Sequence, residues 1–270
     1  MPIQIDGATR LYLIVGDPIV QVKSASVYSH LFAERGIHAV LLPLHVLPAD
    51  MDGLAPMFQA MRNVDGILVT APYKSSLLKL CRSLGPAAEC VGAVNALRRH
   101  PDGGWHGDLF DGAGFVTGAR RRGIVLEGRR ILQFGAGGAG SAVAYELAAA
   151  GARSIRLIDP HHEKVHRICD AIRSRFPGFD IQACGKEEPA IDMVINASTV
   201  GMGGTPGLPG PIPPLGGEMA VGEVNVTEKG TDLIRMAQAA GVAWVDGSFM
   251  HAGQIDQIMA FFFGQAAALR

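Results

Sequence analysis

The chain has 270 residues, a formal net charge of −1 at pH 7, 48% hydrophobic residues and 18% charged residues. These values are typical of one large or two ordinary globular domains, and they argue against a disordered or strongly basic nucleic-acid-binding chain. We find no basic, apolar leader and no run of about 18 apolar residues, and we therefore expect a cytoplasmic protein with no membrane partner. The four cysteines lack C-x-x-C spacing and are interpreted as thiols of a cytosolic protein: Cys81, Cys90, Cys169 and Cys184.

Strand-like and helix-like segments alternate in the first half of the chain. Short apolar runs indicate strands, and a 3.6-residue period indicates helices. In chain order we predict a strand at 11–15, a helix at 25–35, a strand at 38–43, a helix at 51–61, a strand at 66–70 and a helix that ends at Leu80. The stretch 100–114 is rich in glycine and aspartate, and we interpret it as the passage to a second domain.

The alternation restarts after this passage. In chain order we predict a strand at 130–134, a helix at 139–150, a strand at 154–158, a helix at 163–175, strands at 193–196 and 220–225 separated by a loop over 201–217, a helix at 231–240, a strand at 244–246 and a final helix over 254–269. Such alternation indicates βαβ units and largely parallel sheets. The predicted fold is α/β with two domains. One is an N-terminal α/β domain over 1–113, completed by the C-terminal helix 247–270, and the other is a doubly wound Rossmann domain over 114–246.

A glycine-rich turn follows the first predicted strand of the second half. Gly135, Gly137 and Gly140 satisfy the pattern G-x-G-x-x-G. The first glycine permits a tight turn, the second lets the backbone approach a pyrophosphate, and the third allows close packing of the helix on the strand. Gly138 and Ala139 follow at the start of the helix, whose N-terminus would face the phosphates. The motif alone is weak, but in this strand–helix context it predicts a dinucleotide site.

The next predicted strand ends at Asp159, where the ribose-binding carboxylate of such a site is expected. A carboxylate accepts hydrogen bonds from the ribose 2′-hydroxyl and repels a 2′-phosphate, and no arginine stands directly after the strand. We therefore expect NAD as the preferred cofactor, with NADP as the alternative. In a second interpretation, Asp159 only caps the next helix.

Residues 162–166 match H-E-x-x-H, a pattern that on a helix places two imidazoles on one face to bind zinc. The match stands at the start of the helix after the second Rossmann strand, no third ligand is evident nearby, and Lys164 adds positive charge. We therefore expect no metal site and interpret the segment as a solvated helix face. A zinc-dependent hydrolase is the minor alternative.

Six further stretches stand in a fixed order along the chain. They are G-D-P-I-V-Q-V-K-S at 16–24, V-T-A-P-Y-K at 69–74, G-A-V-N at 92–95, G-D-L-F-D-G-A-G-F at 107–115, D-M-V-I-N-A-S at 192–198 followed by G-M at 201–202, and G-S-F-M at 247–250 followed by Gln254. Together they resemble motifs of the shikimate/quinate dehydrogenase family over nearly the whole chain. The resemblance implies an NAD(P)-dependent oxidoreductase that acts on a CH–OH group, as a divergent shikimate dehydrogenase-like member.

The resemblance also implies that the first domain, over 1–113, is the N-terminal α/β substrate domain and that the Rossmann domain binds the cofactor, and it implies roles for single residues. Lys74 and Asp111 match a catalytic pair that would move the proton when a secondary alcohol loses a hydride to nicotinamide. The positions that match substrate-binding residues are Ser24, Thr70, Asn95 and Gln254. Besides the glycine turn and Asp159, the positions that match cofactor-binding residues are Asn196, Ser198, Met202 and Gly247. From the residues alone, Lys74 is better explained as a surface lysine in the first turn of a helix and Asp111 as a loop acid.

Four positions that are usually polar in this family are apolar here: Val22, Leu68, Phe110 and Val226. Each lost hydrogen bond to a charged group costs on the order of 1.5–3 kcal/mol, so two or three losses would weaken shikimate binding by several powers of ten. We therefore expect oxidation of a cyclic secondary alcohol of shikimate or quinate type to the ketone, in a more apolar pocket. The expected partner is this small molecule, without nucleic acid, and the protein is expected to be a monomer or homodimer. The alternative is a non-catalytic sensor of the same fold that binds NAD and a ligand.

Overall fold

A computed structural model describes residues 4–183 and 190–264 of the chain. Cys184 and the last six residues of the predicted C-terminal segment lie outside the described residues. The described residues form two compact units: one runs up to Leu109 and resumes at Ile258, and the other runs from Phe110 to Gln257. That these units act as the predicted substrate and cofactor domains stays a prediction.

The first unit is built on a six-stranded mixed sheet. Its strands are β1 (Arg10–Gly16), β2 (Ala39–His45), β3 (Val64–Val69), β4 (Cys81–Leu84), β5 (Ala96–Arg99) and β6 (Trp105–Asp108). The order is β2-β1-β3-β5-β6-β4, in which β5 is antiparallel to both neighbours and the other pairs are parallel. The helices are α1 (Ser24–Glu34), α2 (Met51–Ala60) and α3 (Pro86–Val91). The strands and helices predicted up to residue 70 are confirmed, with ends that shift by one or two residues.

One prediction in this part of the chain is wrong. The helix predicted to end at Leu80 is only a 3-10 turn over Ser76–Leu80, because the chain turns at once into β4 to pair with β6. The predicted passage 100–114 does contain the division between the two units, after Leu109, but it also contains β6, which includes the fully buried Trp105, and the first residues of α4 (Asp111–Arg121). The glycine and aspartate content of this stretch therefore hides a short buried strand.

The end of the last helix, α8 (Gly247–Phe263), belongs to the first unit. The ring of Tyr12 on β1 lies 5.0 Å from that of Phe32 on α1 and 4.9 Å from that of Phe262 on α8, measured between centroids. These tilted contacts are favourable arrangements for aromatic pairs. They fix the C-terminal turns of α8 against the first sheet.

The second unit is a doubly wound parallel sheet. Its strands are β7 (Arg130–Phe134), β8 (Ser154–Ile158), β9 (Asp180–Ala183), β10 (Met193–Asn196), β11 (Ala220–Glu223) and β12 (Ala243–Val245), in the order β12-β11-β10-β7-β8-β9. Besides α8, its helices are α4 (Asp111–Arg121), α5 (Gly138–Ala149), α6 (His162–Arg175) and α7 (Asp232–Ala239). The strand order reverses between β7 and β10, which is the Rossmann topology and confirms the predicted fold class. No helix in the described ranges is long and apolar enough to cross a membrane.

Candidate functional site

The glycine-rich turn lies where the strand order of the second sheet reverses. Gly135 follows β7 with φ of +99°, and a β-carbon there would lie 2.4 Å from the carbonyl oxygen of Ala197 after β10. A β-carbon on Gly140 would lie 2.3 Å from the carbonyl oxygen of Gly135. Backbone conformation and close packing therefore require the first and third glycines of the motif.

The second glycine has different surroundings. Gly137 is exposed at the N-cap of α5, and a β-carbon there would meet no atom within 4 Å. Protein packing does not require glycine here, whereas the missing side chain leaves room for a ligand to approach the backbone. Gly138 and Ala139 follow as the first residues of α5, with their N–H groups at the positive end of the helix dipole. The residues present thus fit a dinucleotide pyrophosphate.

The carboxylate of Asp159 holds the turn from the neighbouring strand. It follows β8, and its Oδ2 accepts the N–H of Ala136 at 2.8 Å while its Oδ1 accepts the N–H of His161 at 2.8 Å. Each oxygen therefore accepts one backbone hydrogen bond, and each keeps further acceptor capacity. The arrangement puts a negative charge beside the glycine turn.

A buried carboxylate that the sequence analysis missed, Glu223, ends β11 beside Asn196. It accepts hydrogen bonds from Asn196 Nδ2, Thr231 Oγ1 and the N–H of Asn225, each at 2.9 Å. Burial raises the pKa of Glu223, although these hydrogen bonds act in the opposite direction. Asn196 Oδ1 in turn accepts the hydroxyl of Ser198 at 2.7 Å. The side chains of Asn196 and Ser198, both predicted cofactor contacts, thus order the loops at this edge of the sheet. Their contact with a cofactor stays a prediction.

A cavity of about 510 Å³ lies in the second unit next to this network and shares Thr231 with it. Its lining comes from the turn that starts at Gly201 and from the segment 226–232. Val226, one of the four apolar replacements, is 64% exposed and lines this cavity. The hydroxyl of Thr227 in the lining is buried and has no hydrogen-bond partner among the described residues. Met202, a predicted cofactor contact, is an exposed residue of the same turn.

Glycines allow α8 to pack closely against two neighbours, helix α4 and the segment after β11. A β-carbon on Gly114 would lie 2.3 Å from Cγ of Gln254. A β-carbon on Gly247, the first residue of α8, would lie 2.3 Å from the carbonyl oxygen of Val224. Close packing alone explains glycine at 247, so its predicted contact with a cofactor stays a prediction.

This close approach brings Gln254 onto Asp111. Asp111 opens α4 and is 5% exposed, and Gln254 on α8 is 7% exposed. The amide Nε2 of Gln254 donates to Oδ1 of Asp111 at 3.2 Å. The helix dipole also favours a carboxylate at the N-terminus of α4. Two predicted site residues that are 143 positions apart therefore share a buried hydrogen bond within the second unit.

Backbone hydrogen bonds bring three predicted site residues together in the first unit. Thr70 directly follows β3, and its N–H donates to the carbonyl of Val15 on β1 at 3.0 Å. The carbonyl of Asn95 accepts an N–H from the end of β3 at 2.8 Å, and the carbonyl of Lys74 accepts the N–H of Val94 at 2.8 Å. Asn95 is buried and Lys74 is half-buried. Backbone hydrogen bonds thus hold the segments that carry these three residues next to the end of β3, and a shared role of their side chains stays a prediction.

The remaining predicted substrate positions differ in accessibility. Ser24, the first residue of α1, is buried. Val22 and Phe110 are half-buried, one shortly before α1 and the other immediately before α4. Leu68 lies inside β3 and is 5% exposed, so it offers little surface to any ligand. Val22, Phe110 and Val226 are the apolar replacements that a bound molecule could touch.

The H-E-x-x-H segment lies on an exposed face at the start of α6. His162, Glu163 and His166 are all exposed. Within residues 4–183 and 190–264, no group of three or more histidine, cysteine, aspartate or glutamate side chains is arranged to hold a metal ion.

A doubly wound domain with a dinucleotide turn, joined to a second α/β unit, is an architecture typical of nicotinamide-dependent oxidoreductases. The family model of the shikimate dehydrogenase substrate binding domain matches residues 14–97. The chain is also 33% identical over 268 residues to the shikimate dehydrogenase (NADP(+)) of Anaeromyxobacter dehalogenans, and the match covers 97% of this chain and 94% of that relative. The chain therefore belongs to the shikimate dehydrogenase family, as the motifs predicted, and it is an oxidoreductase that acts on a CH–OH group.

Solved structures share the fold. Shikimate 5-dehydrogenase from Listeria monocytogenes, determined in complex with shikimate and NAD, matches with a TM-score of 0.87 and 25% identity over 97% of this chain and 94% of that one. Quinate dehydrogenase from Corynebacterium glutamicum in complex with NAD matches with a TM-score of 0.85 and 24% identity, over 95% and 94% of the two chains. The second likeness concerns the fold alone.

Proposed function

We propose that the chain oxidises a cyclic secondary alcohol of shikimate or quinate type to the ketone, with Lys74 and Asp111 as its proton-transfer pair. The observation that carries the proposal is the buried hydrogen bond from Gln254 to Asp111, which holds the carboxylate in one orientation at the start of α4. The backbone hydrogen bonds that hold the segments of Lys74, Thr70 and Asn95 next to the end of β3 in the first unit support it. On this proposal the first unit supplies most substrate contacts and the second unit the cofactor contacts.

Each named side chain then has a chemical task. Bound nicotinamide supplies the carbon that accepts the hydride of the alcohol. Lys74 takes the hydroxyl proton during oxidation and returns it during reduction. Asp111 is the carboxylate of the proposed pair, and Gln254 keeps it in place. The residues Ser24, Thr70 and Asn95 orient the polar groups of the substrate by hydrogen bonds.

The proposed substrate carries fewer hydroxyl groups than shikimate, or an additional apolar group. The side chains of the accessible replacements Val22 and Val226 have no hydrogen-bond donor, and their surfaces favour an apolar contact. The double variant Val22→Ser/Val226→Tyr should therefore raise kcat/KM for shikimate by about a hundredfold or more, since each restored hydrogen bond to a charged group contributes at least about 1.5 kcal/mol. An unchanged value would contradict the proposed cause of the altered specificity.

For the cofactor we propose NAD. The Asp159 carboxylate beside the glycine turn favours a ribose hydroxyl over a phosphate. The relative from Anaeromyxobacter dehalogenans carries NADP(+) in its name, and the Listeria structure contains NAD. Titration of the purified protein with NADH and NADPH tests the choice directly, and tighter binding of NADPH would contradict it.

The decisive experiment follows the absorbance of reduced nicotinamide with shikimate, quinate and less polar cyclic alcohols. Lys74→Ala should lower kcat by about a hundredfold or more with binding of NADH retained, because a general base typically contributes at least this much. The control is Lys79→Ala, which removes the same charge from an exposed residue of the following 3-10 turn, where it pairs with Asp52. Full turnover by Lys74→Ala would refute the catalytic pair. Wild-type protein that binds NADH and a ligand yet turns over no alcohol would favour the sensor.

A further inference from the structure

Gln133 is a fully buried polar residue in the middle of the second sheet. It lies on β7, which pairs with β10 on one side and β8 on the other. Interior strands of parallel sheets are normally continuous apolar runs, as the buried neighbours Leu132 and Phe134 are. Burial of an amide is unfavourable unless its polar atoms are hydrogen-bonded. An amide at this position therefore requires a specific explanation.

The contacts of Gln133 lead to the glycine turn. Its Nε2 donates to the carbonyl of Gly135 at 3.0 Å and to the carbonyl of Gly140 at 2.8 Å. Both partners are acceptors, so the nitrogen end of the amide must face them and the orientation is settled by chemistry. The other end, Oε1, is buried without a hydrogen-bond partner in the described ranges. A side chain that served only to fill the core would not be an amide with one unpaired oxygen.

The two carbonyls belong to the first and third glycines of the motif. Gly135 stands before the turn, and Gly140 lies within the first turn of α5. A link between them fixes the distance from the end of β7 to the start of α5, and with it the direction of the N–H groups near the exposed Gly137. These are the groups that a helix N-terminus offers to phosphate.

We infer that Gln133 is a positioning residue for the dinucleotide pyrophosphate: it clamps the carbonyls of Gly135 and Gly140 and so preorganises the phosphate-binding N–H groups. The inference rests on the proposed cofactor-binding function of this turn. It concerns binding and not the chemical step, because Gln133 is buried beneath the turn and acts through the backbone.

The test is isothermal titration of NADH into wild-type protein and into Gln133→Met. Methionine keeps the volume and removes the unpaired oxygen, which offsets part of the cost of leaving the two carbonyls without this donor, so the thermal midpoint should fall only slightly. The Kd for NADH should rise about tenfold, because two hydrogen bonds that order the turn are lost. KM for the cofactor should rise in parallel with kcat unchanged.

Leu132→Met is the matched control, since it introduces the same side chain at the adjacent buried position. Its Kd should equal that of wild type. Gln133→Leu provides a second variant without donors, and Gln133→Glu, which sets a carboxylate against two carbonyls, should bind NADH more weakly than either apolar variant. A lower thermal midpoint with unchanged Kd in the apolar variants would overturn the inference alone. Wild-type protein that binds neither NADH nor NADPH would overturn the proposed function as well.

Discussion

The contact between Gln254 and Asp111 offers the sharpest test of the proposed chemistry. Gln254→Met keeps the length of the side chain and removes the amide that donates to the carboxylate. If Asp111 acts in proton transfer and Gln254 orients it, this change should lower turnover without preventing cofactor binding. Because both residues lie in the second unit, the contact does not depend on how the two units are arranged.

The expected magnitude follows from geometry. Hydrogen bonds to charged groups contribute about 1.5–3 kcal/mol. The N···O distance of 3.2 Å is longer than the usual value near 2.9 Å, so the lower end of that range applies, about 1.5 kcal/mol or a little over tenfold in kcat/KM. In the double variant Gln254→Met/Asp111→Ala the two losses should not add, since the glutamine has no carboxylate left to orient. The coupling free energy should be about 1.5 kcal/mol in the transition state.

The same pair of helices supplies the control. One turn further along α8, Gln257 Nε2 donates to the hydroxyl of Thr117 on α4 at 3.0 Å. Gln257→Met removes a hydrogen bond of the same type from the same interface and should leave kcat/KM unchanged. If Gln257→Met lowers activity as much as Gln254→Met, or if the Gln254 and Asp111 losses add in full, the contact is only structural and the reasoning fails.

Three further predictions concern the second unit. Asp159→Asn should shift the ratio of kcat/KM for NADP over NAD upward by about tenfold, because one like charge beside the 2′-phosphate is removed, and an unchanged ratio would contradict the assigned role. Gly140→Ala should lower the free energy of unfolding by about 1–3 kcal/mol in denaturant titrations, because its β-carbon would lie 2.3 Å from the carbonyl oxygen of Gly135. Gly137→Ala is the control, since a β-carbon there meets no atom within 4 Å. It should leave the free energy of unfolding unchanged and weaken NADH binding. The Arg130 guanidinium holds the pKa of Asp192 at about 2, so this pair stabilises the fold above about pH 4 and loses that contribution as the pH falls towards 2. The unfolding free energy of Asp192→Asn should accordingly fall less over that interval than that of wild type, and parallel profiles would refute the assignment.

Long periodic segments could be predicted from the sequence, and short ones could not. The apolar run of β7, the glycines of the turn and the helical period of α5 follow one another directly in the sequence. Together these local signals predicted a strand–turn–helix unit of a doubly wound sheet. β9 was missed because Asp180–Ala183 is short and its polar residues resemble loop sequence. β6 was missed for the related reason that glycine and aspartate surround Trp105, whose burial depends on partners that are distant in sequence.

In the candidate site too, contacts between residues that are distant in sequence could not be predicted. Motif positions such as Lys74, Asn95 and Gln254 could be named, but the hydrogen bond between Gln254 and Asp111 joins residues from opposite ends of the second unit and follows only from packing. Glu223 could have been suspected, because a carboxylate ends an otherwise apolar strand at the edge of the sheet where ligands bind. Its partners come from two other loops, so its task could not have been inferred.

Three polar side chains at this edge of the second sheet share one property, although Gln133 and Glu223 are buried and Asp159 is only half-buried. Gln133, Asp159 and Glu223 donate to or accept from backbone groups of the loops after β7, β8 and β11. Each such group is unfavourable to bury and becomes favourable only when its loop adopts one conformation, so each one selects a single loop geometry. The apolar side chains of the accessible replacements Val22, Phe110 and Val226 form no hydrogen bonds and therefore do not select a loop conformation in this way. Substrate preference can therefore change at these positions while the cofactor-binding loops and the proposed proton-transfer pair keep their geometry, which is the combination that a divergent member of a dehydrogenase family requires.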